Sequence, residues 1–389
     1  MIRRFGWLRV SRALLGFAAA PRCYSKCAAI LTLSVACGSG SNGTAPLGPS
    51  ILAAYYGYDD CLGVADANGD GTNADEAAAA GCRVVAAADG TAVTSAPTPL
   101  QLALVCAGQA GPEQLVQLDG MPVVFSHQLV QDTLDADDFE IQLSDGTSRT
   151  PVCATTAPAN EENEDRTVLL IGDFGSRQPV SGETAGGPSP VELRVVGSVE
   201  LEGTDATTGA PLDARGLSYA GQYLDYRLGP GVLLAEIAPF STDGEGAVGR
   251  GLPNDCRTIF PDTTHVVRVT WSGGVSVDGV RAIPSDRTAT YDVRVENDRG
   301  ERVSIGDASL GDSIRLLGLA DLGDSFASSP DAAVVDGDNV VDLCLALADG
   351  FDPARVRTVA TACNTTATAL YDPAGDAPCL PLAIAVSGA

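Results

Sequence analysis

A seven-residue stretch, His265-Val-Val-Arg-Val-Thr-Trp271, shows the pattern that decides the fold. In an extended chain, successive side chains point to opposite faces. Val267, Val269 and Trp271 therefore share one face. Arg268 and Thr270 lie on the other. A period of two indicates a half-buried β-strand, so this stretch predicts a strand with one face in a hydrophobic core.

Similar short runs recur along the chain and are separated by Gly, Asp and Pro turns. Strands at this spacing favour a mainly β fold built from tandem immunoglobulin-like (Ig-like) sandwich domains. Helical patterning is confined to about 50–61 and 73–81. The other predicted strands are Pro122–Ser126, Phe139–Leu143, Thr167–Ile171, Val191–Leu201, Val232–Ile237, Tyr291–Glu296, Val340–Leu347 and Leu380–Val386.

The charge balance excludes one class of partner. The chain has 389 residues, with 24 Lys+Arg against 50 Asp+Glu and a formal net charge of −26. A nucleic-acid backbone requires a cationic face, so we expect no nucleic-acid partner. Hydrophobic residues make up 45% of the chain, which predicts at least two folded domains.

The first 37 residues differ in character from the rest. Their basic residues all precede Asp59, the first acidic residue, and the apolar run 27–37 follows them. Such a run is too short to span a bilayer and is typical of a signal-peptide core. The sequence Leu33-Ser-Val-Ala-Cys37 resembles a bacterial lipobox, in which the cysteine is diacylated and becomes the new N-terminus. The resemblance implies export and lipidation of Cys37; the alternative is an ordinary secretory signal with a cysteine nearby.

The segment after Cys37 is rich in Gly, Ser and Pro, which is typical of a flexible tether. A non-acidic residue after the cysteine, here Gly38, favours a lipoprotein of the outer membrane or cell surface, held to the membrane by its N-terminal anchor. The expected organisation is a signal peptide at 1–37, a tether at 38–50, a small Cys-flanked region at 51–117, an Ig-like sandwich at 118–230 and a second β domain at 231–389.

Eight cysteines follow Cys37, and an even number in an exported chain indicates disulfides. The sequence does not fix their connectivity. We expect sequence neighbours to pair, which gives Cys61–Cys82, Cys106–Cys153, Cys256–Cys344 and Cys363–Cys379.

Residues 118 to about 220 resemble the bacterial Ig-like domains of surface proteins. The resemblance rests on Val123-Val-Phe-Ser126, on Thr133-Leu followed by Phe139, and on Asp145-Gly146. It covers about a quarter of the chain. In such a domain, Phe125 and Phe139 would fill the core between the sheets, and Asp145-Gly146 would turn a hairpin.

The stretch 66–76, Asp-Ala-Asn-Gly-Asp-Gly-Thr-Asn-Ala-Asp-Glu, has the oxygen spacing of a calcium loop, with glycine at its sixth position. It resembles the loops of EF-hands, dockerins and thrombospondin type-3 repeats, which implies calcium as a ligand. Ala77 stands where the closing acid is expected, so Asp75 or Glu76 would close a shortened loop. An Asp/Gly turn without metal is the alternative. The candidate ligands are Asp66, Asn68, Asp70, Thr72, Asp75 and Glu76.

Catalytic motifs are weak in this sequence. Ser126 and His127 are adjacent, and on a strand they would point to opposite faces, so we expect no nucleophile–base pair. We therefore expect a non-enzymatic, surface-tethered envelope lipoprotein with a structural role or a role in binding a protein or glycan. The alternative is an exported hydrolase of glycans or lipids that uses dispersed Asp and Glu residues.

Overall fold

The chain is mainly β, as predicted, and residues Pro46–Ala389 form one compact unit. The signal peptide, Cys37 and the tether up to residue 47 lie outside the described residues, and so does Asp70. The computed structural model describes residues 48–69, 71–87, 89–106, 108–159, 164–176, 187–205, 207–224, 228–240, 256–320, 339–373 and 377–388.

Two antiparallel sheets form the first sandwich. One sheet has the strand order β1 (Ile51–Ala54), β5 (Leu118–Phe125), β9 (Thr167–Gly172) and β8 (Cys153–Thr155), and β2 (Tyr58–Leu62) also pairs with β5. The facing sheet has the order β13 (Ser218–Tyr219), β10 (Pro190–Val195), β6 (Phe139–Leu143) and β7 (Ser148–Arg149). The hairpin β11 (Glu200–Thr204) and β12 (Pro211–Asp213) extends beside them.

The core of this first sandwich lies between its two sheets. Phe125 and Phe139 are both fully buried in one apolar cluster with residues of each sheet, as predicted. Asp145-Gly146 turns the hairpin from β6 to β7, and Gly146 has a φ of +85°, which glycine adopts at little cost. The alternating burial of β6 shows that one of its faces packs inward.

The second sandwich contains the stretch His265–Trp271. One sheet has the order β18 (Ile314–Ala320), β19 (Val340–Leu347), β15 (His265–Trp271), β14 (Val232–Pro239) and β22 (Ser387–Gly388), of which β14 and β22 pair in parallel. The other has the order β17 (Arg302–Ser304), β16 (Tyr291–Glu296), β20 (Val356–Thr361) and β21 (Ala383–Ala385). Val267, Val269 and Trp271 are fully buried in the core between these sheets, as the alternation predicted.

Short elements between β2 and β5 form a small lobe beside the first sandwich. They are the helix α1 (Ala74–Ala80), the hairpin β3 (Val84–Ala86) and β4 (Ala92–Thr94), and the helix α2 (Pro99–Val105). A third helix, α3 (Cys256–Ile259), precedes β15. Within the described ranges, no helix is long and apolar enough to cross a membrane.

Four disulfides join the cysteines in the predicted pairs. Cys61–Cys82 closes the segment that contains residues 66–76, and Cys106–Cys153 ties the end of α2 to β8. Cys256–Cys344 and Cys363–Cys379 lie in the second sandwich. Disulfides form and persist in oxidising compartments, so four of them indicate a protein outside the cytosol.

Two helix predictions had different outcomes. The helix expected at 73–81 is confirmed as α1. The helix expected at 50–61 is wrong, because this segment forms β1 and β2. Both strands pair with β5, at Ile51–Phe125 near one end and at Leu62–Leu118 near the other. Pairing with a central strand thus overrides the local helical pattern.

Candidate functional site

The loop predicted to bind calcium is organised around two carboxylates. Asp66 accepts hydrogen bonds from the backbone N–H groups of Gly69, at 2.7 Å, and Gly71, at 3.0 Å. Glu76, in the first turn of α1, accepts from the N–H groups of Ala67 and Asn68, both at 3.1 Å. Asp66 and Glu76 therefore hold the same short stretch of backbone from its two sides.

Asn68 is also a predicted ligand, and its backbone N–H is one of the donors to Glu76. Asn68, Thr72 and Asp75 are exposed, and Asp70 lies outside the described residues. Among the described residues, no three His, Cys, Asp or Glu side chains are grouped as metal ligands. One carboxylate oxygen of Glu76, Oε2, is buried and has no hydrogen-bond partner among the described residues.

The base of this loop is fixed to the rest of the lobe. The side-chain amide of Asn73 donates to the carbonyl oxygens of Val64 and Ala96, at 2.9 Å each. The disulfide Cys61–Cys82 closes the segment that contains the loop, and both of its cysteines are buried. Asn73 and this disulfide therefore fix the loop to the lobe.

A row of charges lies where the two sandwiches meet. Glu236, Arg268 and Asp342 are cross-strand neighbours on β14, β15 and β19. Arg268 binds Asp342 through two contacts of 3.0 Å. From the first sandwich, Glu164 lies 3.7 Å from Arg268, and Arg166 lies 3.2 Å from Glu236. The row therefore links the two sandwiches with alternating charge.

Three side chains of this row are buried, so their pairing affects the stability of the protein. The side chain of Arg268 is 11% exposed, and those of Asp342 and Glu164 are each 1% exposed. Charges removed from water are costly unless they are paired, so the row stabilises the pairing of the sandwiches only while its members remain complementary. The sequence pattern placed Arg268 on a polar face but gave no sign that Glu164 and Arg166, which directly precede β9, meet that face.

A second buried acid lies in the first sandwich. Asp119, on β5, is 1% exposed and accepts from the N–H groups of Asp60, at 2.9 Å, and Phe174, at 2.7 Å. Burial raises the pKa of Asp119 to about 7; the two N–H donors oppose this, and the charges of Asp59 and Asp60 add to it. Both oxygens are bound to backbone, so Asp119 joins β2 to the end of β9 and has a structural role.

The prediction for Ser126 and His127 is wrong in its geometry. The two residues form a bend directly after β5, and the Ser126 hydroxyl lies 2.9 Å from Nδ1 of His127. The same hydroxyl accepts from the N–H of Ser50 at 2.9 Å. Burial lowers the pKa of His127, and the charge of Arg166 adds to the effect. A neutral His127 thus completes a polar contact that holds the start of β1 to β5.

The helix α2 was not predicted, although its start carries a signal. Thr98 and Gln101 form a capping box, with Thr98 N–H donating to the Gln101 side chain at 2.7 Å, and Pro99 occupies the first turn. Leu102 is buried in an apolar cluster with Leu118 and Ile171 of the first sandwich. Leu100 and Leu104, one turn apart, are 66% and 73% exposed, and Val116 near them in the chain is 46% exposed.

The position of α2 relative to the start of the folded chain follows from strand register. Ile51 pairs with Phe125, at one end of β5. Leu102 packs with Leu118, at the other end of β5. At about 3.4 Å per residue, these ends are about 24 Å apart. The exposed leucines therefore lie at the end of β5 away from the point where the chain enters the fold.

Comparisons with known proteins give no family for this chain. The sequence matches no protein-family model, and it is similar to none of the curated proteins at a significant level.

Proposed function

We propose that this chain is an exported lipoprotein with Ig-like sandwich domains that is anchored at Cys37 in the cell envelope and binds a protein partner without catalysing a reaction. The anchor is supported by the lipobox-like sequence 33–37 and by the Gly/Ser/Pro tether. Export is supported by four disulfides among the cysteines after residue 37.

The observation that carries the binding role is the placement of α2. A lipid anchor at Cys37 would join the fold at the Ile51 end of β5, and the helix that carries Leu100 and Leu104 packs at the opposite end of this strand. Four of the large exposed apolar side chains in the described residues, Leu100, Leu104, Val105 and Val116, belong to this one segment. Exposed apolar patches of this kind are typical of interaction surfaces.

The chemistry of the α2 surface favours a protein over a glycan. Residues 98–106 carry no charge, on a chain with a net charge of −26. Apart from Gln101, their exposed side chains are aliphatic, whereas sugar rings are commonly held on aromatic faces and by polar side chains. An uncharged aliphatic helix face fits an apolar groove of another protein, as in helix-in-groove recognition.

Site-specific photo-crosslinking in the producing cell tests this role. The full chain carries a photo-reactive residue at Leu104, and the control carries it at Val196, an exposed residue of the first sandwich. The proposal expects one protein adduct from position 104 and none from 196. The captured protein, once purified, should bind the full chain at least about tenfold more weakly after Leu104→Ser, a loss of about 1.4 kcal/mol. Equal binding by Leu104→Ser and Val196→Ser contradicts the proposal.

Calcium is proposed as a ligand of the 66–76 loop. The support is that Asp66 and Glu76 converge on one stretch of backbone and that Glu76 Oε2 is buried without a hydrogen-bond partner among the described residues. Calcium prefers carboxylate and carbonyl oxygens. Bound calcium would give Glu76 Oε2 a partner and stabilise the lobe that carries α2.

A screen with polysaccharide and ester substrates distinguishes the binder from the hydrolase. The full chain, purified in detergent, is expected to show no turnover above that of a boiled sample. Turnover that disappears after a single Asp or Glu substitution would show that the chain is an enzyme.

A further inference from the structure

A small pocket lies between the two sandwiches. Tyr58, Pro158 and Thr167 line it from the first sandwich, and Gly274 and Asn339 line it from the second. Thr167 is 5% exposed and Asn339 is 2% exposed. Thr156, which is 8% exposed, lines it as well. The pocket therefore brings buried polar side chains from both sandwiches to the same space.

Both side chains present an oxygen that lacks a hydrogen-bond partner among the described residues, Oγ1 of Thr167 and Oδ1 of Asn339. A buried polar atom without a partner costs about 1–3 kcal/mol. Native proteins rarely leave such atoms unpaired. Two residues that line one pocket each carry such an atom, and this points to a shared polar ligand.

The orientation of Asn339 is fixed by its neighbour. Its side-chain nitrogen, Nδ2, donates to the backbone carbonyl oxygen of Trp271 at 2.8 Å. Its backbone carbonyl oxygen accepts from the backbone N–H of Trp271 at 2.7 Å. An amide with its nitrogen engaged in this way presents Oδ1 as an acceptor on its other side. Thr167 lies on β9 opposite Val124, so its position is fixed by the sheet.

The size of the pocket limits the ligand. Its volume is about 20 Å³, and a volume of about 10–15 Å³ on the same measure holds one water. Water has both donors and acceptors, so it can donate to Asn339 Oδ1 and either donate to Thr167 Oγ1 or accept from it. We propose that one structural water occupies this pocket and joins Thr167 to Asn339 across the boundary between the sandwiches.

The melting temperature of Thr167→Val distinguishes a Thr167 hydroxyl that is bridged by water from one that is buried and unpaired. If water bridges the two oxygens, valine removes one partner and the melting temperature falls. If the hydroxyl is simply buried and unpaired, its replacement by a group of the same shape is neutral or stabilising. Thr167→Ser, which keeps the hydroxyl, and Thr204→Val, at an exposed strand position, serve as controls.

A crystal structure at a resolution that orders internal waters provides the direct test. The proposal expects a density peak within hydrogen-bond distance of both oxygens in the wild type, and its loss in Thr167→Val. An empty pocket, or direct protein partners for both oxygens, overturns the proposal. A Thr167→Val protein as stable as the wild type, or more stable, overturns it as well.

Discussion

Arg268 on β15 and Asp342 on β19 form a two-point ion pair, with Nε–Oδ1 and Nη2–Oδ2 both at 3.0 Å, on the sheet face that meets the other sandwich. Planar two-point pairing is the strongest form of this interaction. Glu164, from the first sandwich, approaches the same guanidinium at 3.7 Å. One buried arginine therefore faces acids from both sandwiches.

Removal of Arg268 should be strongly destabilising. Arg268→Ala leaves the buried Asp342 and Glu164 carboxylates without this cation, and breaking a buried pair in this way costs about 3–5 kcal/mol. Arg294→Ala is the control, because its pair with Asp292 is exposed (44% and 33%) and such pairs contribute about 0–1 kcal/mol. Urea unfolding midpoints measure both. Equal midpoints for the two variants would show that the row of charges does not stabilise the fold.

The buried acid Asp119 should make the protein less stable as pH rises from about 4 to 7. Its pKa is about 7 in the folded protein and near its ordinary value when unfolded. Between pH 4 and 7 the Asp119 carboxyl loses its proton in the unfolded chain but keeps it in the folded protein, so the free energy of unfolding falls. Below pH 4 this carboxyl is protonated in both forms, and its contribution to stability is fully present. Above pH 7 the loss is complete, and it is on the order of a few kcal/mol.

Asp119→Asn isolates this contribution from those of other groups. His127 and His265 have lowered pKa values, so their contributions rise with pH where that of Asp119 falls. Melting temperatures from pH 4 to 8 should differ between wild type and Asp119→Asn by an amount that changes with pH. Asp145→Asn is the control: hydrogen bonds from Thr147 lower the pKa of Asp145 from 3.8, so its contribution to stability is already present near pH 4 and stays nearly constant up to pH 8. A constant difference between wild type and Asp119→Asn contradicts the assignment.

Calcium should raise the melting temperature by mass action. Binding to the folded state alone adds about 2.7 kcal/mol when calcium is at a hundred times its Kd. Asp66→Ala should abolish the response, and Asp89→Ala, in a separate exposed turn, should leave it intact. An unchanged melt at millimolar calcium, or the same response in Asp66→Ala, shows that the loop is an Asp/Gly turn without metal.

Much of the fold could be predicted from local patterns. Val267, Val269 and Trp271 lie in the core as their alternation indicates, and the four disulfides join sequence neighbours. The run Val191–Leu201 was expected as one strand but divides after Val195. The reason is a contact remote in sequence: the N–H groups of Val196 and Gly197 donate to the carbonyl oxygen of Asp138. A Cβ at Gly197 would collide with the Asp138 side chain.

The features that escaped prediction depend on distant partners. Arg268 was placed on the polar face of its strand, but Glu164, over a hundred positions earlier, is what meets it there. Asp119 carries no local sign of burial, because its environment is built from β2 and the end of β9. By contrast, α2 was detectable, since Thr98, Pro99 and Gln101 are a helix-start signature.

We propose that an acylated Cys37 attaches a disulfide-bonded pair of sandwiches outside the cytosol. Intact mass spectrometry of the chain extracted from membranes, after alkylation without reduction, tests this proposal. We expect an N-terminus at Cys37 carrying fatty acyl groups, with none of the eight later cysteines alkylated. A mature chain that starts elsewhere without acyl mass, or that shows alkylated cysteines, contradicts it.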